Sequence, residues 1–437
     1  VYQKVPRLAS SAFYGTGALL APYGTVMRLL TTLALATAMA LLGAATLLAA
    51  TPPKPASIHR LDGSKISVAD AQAFAENTLR ANHVTGAQIA VLNRGQLVWS
   101  AAFGERRRAS DGNPALPMDA QTTLWAASIT KSVFSAYGMQ LVEHGEFNLD
   151  LPIAQQLPQP LDSYEPYRDK ASLLVHDPAW LLVTPRMCLS HTSGLANFAQ
   201  IEPDHKMHLR FPPGTQFLYS GEGINLVQFV IEQQKHKPLD QLMQDAIFTP
   251  LGMTRTGLIY RAEFAGDVAD RYDLNEVFRS QTKRFLARGA GSMTSSAEDL
   301  ARFVSALFAG KILNPATRKA MFTPTFRIRT EHEFGLSDHE GLGLEAPAVG
   351  LAYGVGWGLL THTRFGPAFF KEGHGDGAQN YMICFERQQA CMIILTNSDN
   401  GELAFRPLLE TILGDTVTPW EWEGYTPSYI TESRKHP

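Results

Sequence analysis

WAASITKSVF, residues 125–134, sets an ionisable Lys131 three positions after Ser128, among Trp125, Ala126, Ala127, Ile129, Val133 and Phe134. Burying an ammonium is costly unless it is paired or gives up its proton. Upstream the residues read as strand, while Ile129, Val133, Phe134, Tyr137 and Leu141 recur at helical spacing. The stretch is therefore the junction between a sheet and a helix, with Ser128 at the helix start. On a helix, i and i+3 share a face, so Lys131 comes within reach of the Ser128 hydroxyl. Free N–H groups and positive potential at that end favour an oxyanion. The same field and the apolar walls depress the lysine pKa, and a neutral amine can take a serine proton. An N-capping serine beside a snorkelling lysine is the structural alternative. The Ser-x-x-Lys spacing recurs at Ser280-Gln281-Thr282-Lys283, but "FRSQTKRF" lies between arginines and reads as a solvated charge.

Working outward, residues 69–82 form an amphipathic helical pattern, and "GAQIAVLNRGQLVWSAAFG" is a hairpin turning at Asn93-Arg94-Gly95. Helical patterns follow at 129–144, 184–192, 222–236, 238–247 and 296–309, punctuated by "FPPGT" and "TPLGM". Strand character returns in "YGVGWGLL", "AFFKEG", "QNYMICFE" and "ACMIILTN", before the helical "GELAFRPLLETIL". The pattern predicts an α+β fold: an antiparallel β-sheet built from both ends of the chain, flanked by helices, with a mostly helical domain inserted. The expected layout is a leader over 1–56, a body over 57–415 with its helical part at roughly 140–290, and a C-terminal tail over 416–437.

From Leu29 to Ala50 the chain is uncharged and rich in Leu and Ala, after Met27-Arg28 and before "TPPKPAS". Met27 reads as a natural start, and the stretch as an export signal or an amino-terminal membrane anchor. The body is expected to be exported, periplasmic or secreted. The 437 residues are 45% hydrophobic and 18% charged, with a formal net charge of -3 and no long basic run, which argues against a nucleic-acid partner. Three cysteines exclude a disulfide scaffold and a Cys-rich zinc site. Cys384 and Cys391 flank a hairpin and could pair, but two core-facing thiols are the expected state. No metal and no cofactor are expected. His205 and His208 have no second ligand cluster and read as a solvated loop. His191, near the end of a helix at Gly194, reads as structural, bonding terminal carbonyls.

Tyr219, after a Pro-Gly turn and before a helix, and His374, at a strand end beside flexible glycines, complete the candidates. The segments "VTPRMCLSHTSGL", "PGTQFLYSGEGINL", "GAGSMTSSAEDLARF", "YGVGWG", "EGHGDG" and "MIILTNSD" resemble, in that order, the serine β-lactamase-like hydrolases. That group includes class C β-lactamases, DD-peptidases, D-aminopeptidases and family VIII carboxylesterases. The resemblance implies Ser128 as nucleophile, Lys131 as its partner and Tyr219 as a shared base that protonates the leaving group. It implies His374 at the first position of the Lys-Thr-Gly or His-x-Gly strand element, and the Gly377 N–H as an oxyanion donor with that of Ser128. Two departures stand out: Gly221 replaces the asparagine of Tyr-x-Asn, and Asp376 replaces the glycine of His-x-Gly. Both weaken the case for a β-lactam or peptide substrate more than that for acyl-serine chemistry. The expected activity is hydrolysis of small carboxylic esters through an acyl-enzyme. The alternatives are a β-lactamase or D-amino-acid peptidase, or a catalytically silent, membrane-anchored binder of a cell-wall or acyl ligand.

Overall fold

The computed structural model describes residues 56–110, 112–281, 283–334 and 345–425. The main sheet is antiparallel and nine-stranded. In chain order its strands are Gly86–Asn93 (β1), Gln96–Arg107 (β2), Leu116–Pro117 (β3), Phe326–Arg327 (β4), Leu351–Tyr353 (β5), Gly358–Leu360 (β6), Ala368–Gly375 (β7), Ala378–Phe385 (β8) and Ala390–Thr396 (β9). In space they run β4-β5-β6-β7-β8-β9-β1-β2-β3, so β9 from late in the chain pairs with β1 from early in it. The expected hairpin is present: Arg94 and Gly95 both have positive φ, which a two-residue turn matched to the strand twist requires.

Both faces of the central strands are covered, which is why they read as unbroken apolar runs. From β1, Ala90 and Leu92 enter one core while Ala87, Ile89 and Val91 enter the other. The helices Val68–Ala81 (α1) and Glu402–Leu408 (α5) contribute to the second core. Ser67 caps α1 by accepting the Asp70 N–H. Against the first core pack Ile129–Glu143 (α2), Gly221–Lys235 (α3) and Ala297–Phe308 (α4). Helix α2 is buried along nearly its whole length, which makes it the pillar between the sheet and the helical region.

Two expectations are corrected. Cys384 and Cys391 are not free thiols: they stand directly opposite in the β8–β9 ladder and form a disulfide. The chain after residue 415 is not a tail as far as Tyr425. Trp420, Trp422, Glu423 and Tyr425 are buried against the second core, because three aromatic rings there need cover. The apolar leader lies outside the described residues; among those described, no helix is long and apolar enough to cross a membrane.

Candidate active site

The approach to Ser128 is held from two sides. Leu124–Trp125 pairs with Thr294–Ser295, and the Ala126 N–H donates to the Met293 carbonyl at 2.9 Å. Ala127 then adopts φ +45°, a left-handed conformation that a residue with a Cβ pays for and that persists only where its surroundings enforce it. This turn delivers Ser128, half-buried, to the first position before α2. Ser128 makes no side-chain cap, so the capping alternative is not realised. Its Oγ instead receives a hydrogen bond from Lys131 Nζ at 2.8 Å. Lys131 does not snorkel: it is 2% exposed, and its second bond is to the Ala290 carbonyl at 2.6 Å. Burial first, and the charge of Lys371 second, hold its pKa well below the ordinary lysine value, while Glu333 opposes them.

Tyr219 is fixed from behind by His191. The His191 carbonyl accepts the Leu218 N–H at 2.8 Å, its Nδ1 accepts the Ser220 N–H at 3.1 Å, and its ring stacks on Tyr219 at 4.3 Å. His191 is therefore structural as expected, though it binds backbone amides rather than terminal carbonyls. Burial and the nearby lysines keep it neutral. Ser220 caps α3 by accepting the Gly223 N–H. Burial and Glu333 raise the Tyr219 pKa, so the side chain stays a phenol. The Ser128 hydroxyl is near enough to oppose that rise, although among the described residues the phenolic oxygen completes no hydrogen bond of good geometry. Lys131 Nζ lies 4.8 Å from the Tyr219 ring centroid.

Strand β7 supplies the opposite wall. Gly373 abuts the Ser128 turn so closely that a Cβ there would stand 2.4 Å from the Ala126 carbonyl oxygen. Asn380 Nδ2 ties the two together, donating to the carbonyls of Trp125 and Gly373, each at 3.0 Å. Strand β6 covers β7 only as far as Phe370, and among the described residues no strand pairs with that edge from Lys371 onward. Opposite His374, both main-chain groups of Gln379 turn away to the Thr396 hydroxyl, its N–H donating and its carbonyl accepting. The His374 pair is thus a non-bonded one, which points the His374 N–H out of the edge beyond β6.

This geometry corrects the frame in which the strand element was read. Gly377 lies in the β7–β8 turn, and its N–H donates to the Asp399 carboxylate, so it is not available to an oxyanion. Asp376 is exposed in the same turn, its carbonyl accepting from Arg271. The imidazole of His374 lies by Glu402 at 2.8 Å and bonds the Tyr425 hydroxyl. The lysine of the element is Lys371, fully buried with its Nζ 4.8 Å from the Tyr219 ring centroid. The literal Lys-x-Gly of Lys371-Glu372-Gly373 was the available signal, whereas starting the element at His374, three residues later, leaves Asp376 where its glycine belongs.

Gly221 is at the start of α3, and its N–H donates to Asn197 Oδ1 at 2.8 Å. The Phe198 ring fills the space where a side chain would go, 2.5 Å from the point a Cβ at residue 221 would occupy. Ser128, Lys131, Tyr219, Asn197, Phe198, Trp125 and His374 share one cleft of about 870 Å³, whose walls also include Tyr167, Phe229, Phe285 and Phe334. Other sequence candidates fall elsewhere. Ser280 is on the strand Phe278–Gln281 and accepts from Arg271. His205 and His208 bond to the Gln200 carbonyl and to Asp204 in a loop.

A protein-family model described as Beta-lactamase matches residues 71–413. Protein Rv1367c of Mycobacterium tuberculosis is 26% identical over 350 residues, covering 69% of this chain and 79% of that one. Esterase EstB of Burkholderia gladioli is 28% identical over 214 residues, covering 46% and 53% respectively. Among solved structures, the octameric penicillin-binding protein homologue from Pyrococcus abyssi superposes with a TM-score of 0.63 at 21% identity, covering 84% of this chain and 81% of that one.

Proposed function

Because the chain belongs to the serine β-lactamase-like family, we propose that it is an exported hydrolase cleaving small carboxylic esters through an acyl-enzyme on Ser128. The observation that carries this reading is the 2.8 Å bond between Ser128 Oγ and a lysine that is 2% exposed. A buried, deprotonated Lys131 takes the Ser128 proton as Oγ attacks the ester carbonyl carbon. The carbonyl oxygen becomes an oxyanion between the N–H groups of Ser128 and His374. The tetrahedral adduct expels an alkoxide, which receives a proton from Lys131 through the Tyr219 hydroxyl. Water then repeats the sequence, activated by the same pair, and releases the acid. A silent binding role is disfavoured, since binding alone gives no reason to keep Lys131 buried against Ser128.

The preference for esters rests on residue 221. Glycine has no amide to grip an acylamide, and a neutral buried contact of that kind contributes roughly 0.5–1.5 kcal/mol. The expected result is a kcat/KM for short-chain p-nitrophenyl esters at least about tenfold above that for nitrocefin, equivalent to ~1.4 kcal/mol. Nitrocefin turnover equal to that of the best ester would overturn the preference. One observation favours an amide-cleaving reading instead. Asn197 lines the cleft beside Gly221 and brings a side-chain amide from another loop. Export is supported by the apolar leader and by the Cys384–Cys391 disulfide, which fits an oxidising compartment.

A further inference from the structure

Beneath Tyr219 the protein buries more acid than it has base to match. Glu333, a few residues after β4, Glu372 on β7 and Glu423 near the C-terminal end of the described chain place carboxylate oxygens within 4.8 Å of one another. They are 2%, 1% and 2% exposed. Lys371 pairs with Glu372, and Tyr381 donates to Glu423 at 2.8 Å. Among the described residues, both oxygens of Glu333, and one each of Glu372 and Glu423, have no hydrogen-bond partner. Three carboxylates facing one ammonium would leave two uncompensated negative charges in a dry interior, which is strongly unfavourable.

We propose that Glu333, Glu423 and the Lys371–Glu372 pair form a proton-sharing cluster that keeps the ground beneath Tyr219 neutral, with Glu333 as the positioning residue through which the cluster acts on Lys131. The inference rests on the reading of Lys131 as the base. Burial pushes Glu333 and Glu423 up to about 8 and Lys371 down to about 8. Protons therefore neutralise the cluster below that pH, and the group becomes negative above it. The groups that feel Glu333 come from every neighbouring element: Lys131 on α2, Tyr219 before α3, Tyr353 on β5, Lys371 on β7, and Glu423 and Tyr425 on the C-terminal segment. Glu423 in turn feels Asp415 and Tyr381. An ionised Glu333 raises the proton affinity of Lys131 and holds Tyr219 more firmly as a phenol. Both effects oppose acyl transfer.

The test compares the full chain with Glu333→Gln and Glu423→Gln by thermal denaturation across pH 5 to 8.5, and by kcat/KM for p-nitrophenyl acetate up to pH 9. A carboxyl whose folded pKa is raised binds a proton that the unfolded chain has released. Its stabilising contribution is complete below the unfolded value near 4.5 and is lost as pH rises toward 8. The wild-type Tm should therefore fall over that range, and either variant should fall less steeply. In Glu333→Gln the acid limb of kcat/KM should lie at lower pH than in wild type, because an ionising Glu333 raises the proton affinity of Lys131. Parallel Tm slopes in wild type and both variants would overturn the cluster, as would an acid limb unmoved in Glu333→Gln. So would a saturable Tm increase on adding Mg²⁺ or Ca²⁺ to the wild type that is lost in Glu333→Gln, because a cation would then be the neutralising partner. If Glu333→Gln does not fold, Glu423→Gln decides by its Tm slope. The slopes also stand when no ester is turned over, so failure of this inference is distinct from failure of the hydrolase reading.

Discussion

At the scale of single residues, the chemistry depends on Lys131 being buried with no ion pair of its own among the described residues. Ser128→Ala should abolish turnover with little change in Tm, because the side chain is half-buried and caps nothing. Lys131→Ala should lower kcat by ~10²–10⁴ while KM changes much less; a tenfold or smaller effect would mean that it only packs. Tyr219→Phe should also cost kcat, yet leave stability within about 1 kcal/mol, since the phenolic oxygen loses no good hydrogen bond. The acid limb of kcat/KM reports loss of the Lys131 proton. Burial and Lys371 lower that pKa, so the rate should rise with pH well before the ordinary lysine range; a limb centred near 10.5 would contradict the assignment. Ser128 and Lys131 were legible because an ionisable residue in an apolar helical stretch is conspicuous without any fold. Lys371 was not, since its partners Glu372, Glu333 and Glu423 are brought to it by different parts of the chain.

At the scale of elements, the site is a close contact between β7 and the turn into α2, and glycine permits it. Gly373→Ala would drive a Cβ to 2.4 Å from the Ala126 carbonyl oxygen, which is backbone and cannot rotate away. The shift should cost kcat/KM about 10²-fold, the scale of a 1 Å misplacement, and an unchanged rate would show that the contact does not position Ser128. Gly221→Asn meets the Phe198 ring, so the single variant should lose stability without gaining nitrocefin turnover. Adding Phe198→Ala should relieve the clash, as Tm and nitrocefin rates would report. The helices were legible from periodicity, and 129–144 and 222–236 match α2 and α3 within a residue. The register of the β7–β8 turn was not. Lys371-Glu372-Gly373 carries both the lysine and the closing glycine, whereas His374-Gly375-Asp376 carries only the histidine, and the end of β6 pairing at Phe370 and the Gly377–Asp399 bond decide between them.

For the whole molecule, the sheet closes only when β9 meets β1, and the last described residues complete the core beneath it. Removing 416–437 should therefore unfold or inactivate the protein. Truncating one buried tryptophan typically costs about 3–5 kcal/mol, and this deletion removes two, against a total stability of roughly 5–15 kcal/mol. Removing 1–56 should instead leave a soluble, fully active enzyme; an inactive or aggregated product would make the leader part of the fold. The architecture was readable because strands at both ends with helices between them have few ways to share a core. The end of the body was placed too early, at 415, because "TPWEWEGY" has no periodicity. Its aromatic residues gain meaning only from the core they pack against.

The central claim is a covalent bond to one oxygen atom, so intact-mass and peptide mass spectrometry after exposure to a fluorophosphonate probe test it most directly. The expected result is a single adduct on the peptide carrying Ser128, absent in Ser128→Ala and unchanged in Ser280→Ala. An adduct on Ser280, or no adduct on a folded protein, would contradict it.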